Sequence, residues 1–146
     1  MKKTKAAFTL IELLVVIAII GLLSTLSILA LNTARARARD TKRVADVKQM
    51  QTALEMYFNE FGVYPAQASV VAGSPIGTGA NVYLKAIPKP PTPFDGTACT
   101  NAGHYTYAYT AVTGAGGTYT IAYCLGAKVN DIPANTVLFA SPSGIR

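Results

Sequence analysis

Phe8-Thr9-Leu10-Ile11-Glu12-Leu13-Leu14-Val15-Val16-Ile17-Ala18-Ile19-Ile20-Gly21 opens an apolar run that continues to Leu31. Glu12 is its only charged residue. At roughly 1.5 Å per residue, a helix over this run is long enough to cross a hydrocarbon core about 30 Å thick. The run therefore reads as a membrane-spanning helix. Before it stands Met1-Lys2-Lys3-Thr4-Lys5, a basic flank of the kind retained in the cytoplasm. After it come Arg35, Arg37, Arg39, Lys42 and Arg43, so the basic counts on the two sides do not by themselves orient the span. A cleaved secretory signal is the competing reading. It fits less well, because the run exceeds the roughly 7 to 15 apolar residues of such a signal and carries a carboxylate near its start.

Outward from this stretch, composition divides the chain. All eight prolines fall at or after Pro65, and every glycine except Gly21 falls at or after Gly62. A long helix followed by a turn-rich head is the consequence. The 146 residues suffice for one domain with an appended helix, and 51% apolar against 14% charged residues excludes a disordered chain. The net charge of +6 is weak support for a nucleic-acid partner, because Lys2, Lys3 and Lys5 contribute to it from the extreme N-terminus.

Beyond the basic cluster the helix becomes amphipathic. Val47, Met50, Leu54, Tyr57 and Phe61 recur at spacings of three and four, with Val44, Ala53 and Phe58 widening the stripe. Lys48, Glu55, Asn59 and Glu60 lie mostly off it. Gly62-Val63-Tyr64-Pro65 should end the helix, since glycine accepts the left-handed cap conformation and proline cannot continue the ladder. Residues 66–103 read as a connecting loop that includes Pro88-Lys89-Pro90-Pro91-Thr92-Pro93. Such a run fixes a surface loop more often than it serves as a polyproline ligand. Residues 105–112 and 118–125 alternate as the two strands of a β-hairpin around a glycine-rich turn, and Thr136–Ala140 forms a third strand. Tyr119, Ile121, Tyr123 and Leu125 share one face, which suits them to lie on the helix stripe. The turn lacks the Lys-Ser/Thr that a phosphate loop requires. The expected fold is thus α+β, with a long helix over residues 8–61, spanning the membrane over 8–31, packed on a small antiparallel β head over 62–146.

An intramembrane carboxylate calls for a partner, and no basic residue lies within the same apolar run. Either Glu12 reaches the headgroup water, or it meets a cation on a neighbouring chain. With these residues on the page, Lys2-Lys3-Thr4-Lys5-Ala6-Ala7 followed by Phe8 and Glu12 resembles the prepilin signal of type IV pilins and pseudopilins. The resemblance covers about the first third of the chain. It implies that residues 1–7 are a leader removed by a membrane prepilin peptidase between Ala7 and Phe8, and that Phe8 becomes an N-methylated terminus. It further implies that Glu12 meets the terminal amine of a neighbouring subunit during assembly. Two departures are visible: Ala7 stands where the family has glycine, and no proline interrupts the apolar run. Any local melting of the helix would then rely on Gly21 and Ser24-Thr25-Leu26-Ser27. The resemblance also places the lysines in the cytoplasm and the arginines outside. There the alternating Arg35, Arg37 and Arg39 suit the anionic headgroup layer better than nucleic acid.

Cys99 and Cys124 both fall in the exported head, where an oxidising compartment favours a disulfide closing a loop of about 25 residues. A nucleophile set of Cys99 with Asn101 and His104 is the weaker alternative, because a disulfide consumes the thiol. His104 is the only histidine, which leaves little for a zinc site. Major pseudopilins carry a calcium loop, but this head offers only Asp95 and Asp131 as carboxylates, and a site would have to lean on Asn130 and carbonyl oxygens.

The reading is a non-enzymatic subunit without cofactor, placed first in the inner membrane as a single-pass protein with a cytoplasmic N-terminus. It is then polymerised with identical or homologous pilin subunits by a pilus assembly platform into a surface filament for adhesion, motility or DNA uptake. A periplasmic pseudopilus of type II secretion is the alternative within the family. A monomeric, membrane-tethered binding module is the alternative outside it. N-terminal sequencing of the mature protein should begin at Phe8. A sequence that begins at Met1, or beyond Ala30, contradicts the leader reading.

Overall fold

The computed structural model describes residues 8–96, 99, 106–112, 117–134 and 136–145. It divides into two compact units, one up to Arg35 and one from Ala36 onward. Helix α1, Leu10–Phe61, contributes to both.

In the first unit every described residue is exposed. Most of these are Leu, Ile and Val, and Leu10, Leu22 and Leu29 each leave over 60% of their surface uncovered. The hydroxyls within the run are not left to seek water. Ser24, Thr25 and Ser27 donate to the carbonyl oxygens of Ile20, Leu22 and Leu23 at 2.7–2.8 Å. This internal bonding is how hydroxyl side chains are accommodated in an apolar helix.

In the second unit the amphipathic half of α1 packs as its stripe predicts. Val44, Val47, Met50, Ala53 and Leu54 are buried, Tyr57 and Phe58 are partly so, but Phe61 is 43% exposed. Phe61 belongs to the last turn and stacks on Tyr57, with ring centroids 4.5 Å apart, instead of entering the core. Gly62 closes the helix as expected: its φ is +69° and its N–H bonds the Phe58 carbonyl at 2.8 Å. A short 3-10 turn follows at Gln67–Ser69.

Residues 66–103, expected to be loop throughout, contain a further hairpin. Strands β1, Ile76–Thr78, and β2, Asn81–Leu84, pair antiparallel. They are too short for alternation to reveal them, and Gly77 is what lets them close. Its φ is +119°, and a Cβ there would lie 2.1 Å from the Asn81 carbonyl oxygen. Glu60, read as lying off the helix stripe, accepts hydrogen bonds from Asn81 and from the Tyr83 hydroxyl, which ties this hairpin to α1.

The main sheet has the order β3-β4-β5-β6 and is antiparallel throughout. Strands β3, Ala108–Val112, and β4, Thr118–Leu125, form the expected hairpin in the register Ala108↔Ala122 to Val112↔Thr118; most of its turn lies outside the described residues. Strand β5, Thr136–Ser141, adds to the other edge of β4, and the two residues of β6, Gly144–Ile145, extend it. Tyr119, Ile121, Tyr123 and Leu125 are at most 1% exposed and join the helix stripe in one apolar cluster. Full burial of such side chains contributes about 1.5–3 kcal/mol each. Two buried tyrosines bond their polar ends, Tyr107 donating to Asp46 and Tyr109 to the Pro65 carbonyl, both at 2.9 Å, whereas the buried Tyr123 hydroxyl has no partner. Burial, reinforced by a hydrogen bond to Glu55, pushes the Tyr64 phenol up to about 12.

The largest departure from the sequence reading is in the arginine cluster. Arg39, expected at the headgroup layer, is engaged by a carboxylate of the head. Its Nε and Nη2 donate to the two oxygens of Asp95 at 2.8 and 2.7 Å. Arg43 and Asp40 form an ion pair with their side chains 1% and 0% exposed. Asp40 also accepts from the backbone N–H groups of Gly126 and Ala127 at 3.2 and 2.7 Å. Gly126 also lets Asp95 lie against this segment, since a Cβ there would lie 2.2 Å from the Asp95 carbonyl oxygen. The Cys99–Cys124 disulfide, its Cα atoms 5.5 Å apart, lies two residues before Gly126 in the chain.

The hydrogen bond from Arg39 is the main influence holding the Asp95 carboxyl below its ordinary range; burial opposes it, and the charges of Arg39 and Arg43 assist. A carboxyl whose value is depressed on folding stabilises fully above its unfolded value, about pH 4, and loses that contribution as the pH falls through the folded value. The melting temperature should therefore decline on acidification below about pH 4, and less steeply in Asp95→Asn; parallel declines contradict this assignment. Cys124→Ser should lower stability by up to about 3 kcal/mol in chemical denaturation. An unchanged midpoint would show that the bond adds nothing to the head.

Candidate assembly site

The N-terminal segment owes its geometry to its own residues. Thr9 is the N-cap of α1: its carbonyl accepts the first helical hydrogen bond, from the Leu13 N–H at 3.3 Å. Its side chain accepts from the Glu12 N–H at 3.3 Å, and Glu12 reaches back to accept from the Thr9 N–H at 2.8 Å and the Thr9 hydroxyl at 2.6 Å. This is a capping box, in which a Thr and a Glu three residues later satisfy each other's backbone donors. The Thr-x-x-Glu spacing was visible in the sequence, although charge burial was the property first read from it.

Both contacts use the same oxygen, Oε2 of Glu12, and leave Oε1 without a hydrogen bond among the described residues. A negative group at a helix N-terminus also complements the helix dipole. The carboxylate is thus oriented by Thr9 and keeps one oxygen available to a cation from outside. Phe8 immediately precedes the cap and is 84% exposed, with Ile11, Val15 and Val16 nearby on the same exposed apolar surface. Ala7, the residue before the expected cut, lies outside the described residues.

Of the basic residues after the apolar run, Arg35, Arg37 and Lys42 remain exposed, while Arg39 and Arg43 are taken into the head. Cys99 and Cys124 are bonded to each other, so neither is a free nucleophile. Asn101 and His104 lie outside the described residues. No group of three or more metal-ligating side chains occurs among the described residues. Of the two head carboxylates, Asp95 is engaged by arginines, and Asp131 stands alone in the turn bridged by Val129 and Ile132. This donor set does not fit a calcium loop, which needs several hard oxygens free to coordinate.

Comparison with known proteins agrees with this geometry. Residues 2–28 match the family model described as the prokaryotic N-terminal methylation motif. The chain is 29% identical over 99 residues to the type II secretion system core protein G of Aeromonas hydrophila, an alignment covering 62% of this chain and 69% of that protein. It is 28% identical over 87 residues to the type IV major pilin protein PilE1 of Neisseria gonorrhoeae, covering 60% of this chain and 41% of the pilin. No solved structure gives a significant match. A prokaryotic N-terminal methylation motif on an apolar helix that runs on into a unit with an antiparallel β-sheet makes this chain similar to a type II secretion core protein and to a type IV pilin, and consistent with an α+β pilin-like fold.

Proposed function

We propose that this chain is a structural subunit of a type IV pilus-like filament, drawn from the inner membrane after its leader is removed between Ala7 and Phe8. The observation that carries the proposal is the exposed apolar surface of α1 from Phe8 to Leu31, opened by a carboxylate held in a fixed orientation. Such a surface is stable in a bilayer or among copies of itself, and not in water. Assembly moves it from the first environment to the second. In the growing filament the freed, methylated amine of Phe8 meets Oε1 of Glu12 on a neighbouring subunit, while Thr9 holds Oε2. Each of two buried charges is thereby neutralised by the other.

The disulfide supports export of the head, since such bonds persist in oxidising compartments. With the head outside, the lysine-rich N-terminus stays in the cytoplasm, where a prepilin peptidase and an assembly platform would act on it. A periplasmic pseudopilus is a second reading, and the similarity to the Aeromonas protein over 69% of its length favours it. The two readings share the assembly mechanism and differ in where the polymer ends.

Glu12→Leu separates an assembling subunit from an anchored one. If the carboxylate were merely tolerated in an apolar setting, its removal would leave function intact. The proposal expects Glu12→Leu protein to be processed to Phe8, to accumulate in the inner membrane and to yield no sheared filaments. Filaments at wild-type yield, scored by microscopy beside a processing blot, would remove Glu12 from the mechanism.

A further inference from the structure

Within the head, one cation sits among oxygens from separate parts of the chain. The Nη1 group of Arg43 pairs with Oδ1 of Asp40 and lies 3.7 Å from Oδ2 of Asp95. Its Nη2 group donates to the carbonyl oxygens of Pro91 and Pro93 at 2.8 and 2.9 Å. The Phe94 ring lies over the guanidinium, 5.3 Å from its centroid to Cζ. Two carboxylates and two backbone carbonyls, from α1 and from the loop of residues 91–95, thus converge on a side chain that is 1% exposed. Hard oxygens from carboxylates and main-chain carbonyls are the donors a protein offers to a divalent cation such as calcium. Here all four already face a fixed positive charge supplied by the chain.

We propose that Arg43 is the resident cation of this head, which holds the loop of residues 91–95 against α1 and makes the fold independent of divalent metal. The arrangement suits the position. A guanidinium presents a planar fork, so two carbonyls can share one nitrogen while a carboxylate takes the other. Pro91 and Pro93 have no backbone N–H, so their segment has few donors of its own, and their carbonyls take the guanidinium instead. Asp40, the nearest counter-charge, is itself fixed by the Gly126 and Ala127 N–H groups, so the cation and its anion are both pinned. Asp95 is shared with Arg39, which leaves the cluster no oxygen pair free for an added ion. A calcium ion entering this cluster would meet the guanidinium before it met a complete donor set. The consequence is that this cluster holds the loop without calcium.

The test uses the full-length chain in detergent, melted and digested with chymotrypsin in calcium chloride or in excess EDTA. Cleavage after Phe94 reports release of the loop. The proposal expects superimposable melting curves and equal cleavage rates in the two buffers. It also expects Arg43→Gln to be cut after Phe94 roughly a hundredfold faster than wild type, with no rescue by calcium. A lower melting temperature in EDTA overturns it, as does an Arg43→Gln protein that resists cleavage like wild type. Should Arg43→Gln fail to fold, Arg43→Lys keeps the charge without the fork and is expected to fold with intermediate cleavage. Cleavage of Arg43→Lys at the wild-type rate would show that the fork geometry does not hold the loop. The wild-type comparison needs no variant at all.

Discussion

An apolar helical surface that is left uncovered is the constraint on which the rest depends. From Phe8 to Leu31 the chain offers leucine, isoleucine and valine on every side and only one charge. No amphipathic packing can satisfy a surface that is apolar all round, so its partner must be lipid or other helices of the same kind. Farther along, α1 alternates faces and builds an ordinary core with the sheet. One continuous helix therefore carries two different solvation requirements. This is what a subunit needs if it is first stored in a membrane and then polymerised.

The two charged features of the helix answer different problems. Glu12 lies in the apolar part and is oriented by Thr9 through the capping box, with one oxygen in reserve. Arg43 and Asp40 lie in the packed part and have no oxygen or proton donor in reserve except the buried Nε of Arg43, which has no partner. Removing one member of such a buried pair costs about 3–5 kcal/mol, because the other is left without compensation. The first feature is suited to meet another chain, whereas the second is closed on its own.

Much of this was legible in the sequence because it rests on periodicity and on residues with few conformational choices. The apolar run, the stripe from Val44 to Leu54, the cap at Gly62 and the β3–β4 hairpin all follow from spacing and from glycine. The cysteine pairing was legible only through the export that the prepilin-like signal implies. The β1–β2 hairpin did not, since three or four residues are too few to alternate visibly and the closure depends on Gly77 meeting Asn81. Nor did the roles of Arg39 and Arg43. Their charge suggested solvent or headgroups, yet residues 40, 43, 47, 50 and 54 fall on one helical face, and that register was the available signal for burial. Their partners, Asp95 and the carbonyls of Pro91 and Pro93, are about fifty residues away, a distance over which local pattern carries no information.

Electron cryomicroscopy of filaments sheared from expressing cells tests the central claim most directly. The account predicts residues 8–31 of many copies packed together at the filament axis, with the Phe8 amine of one subunit within about 4 Å of the Glu12 carboxylate of a neighbour. Filaments with these residues on the outside, or with Glu12 facing no amine, would contradict it.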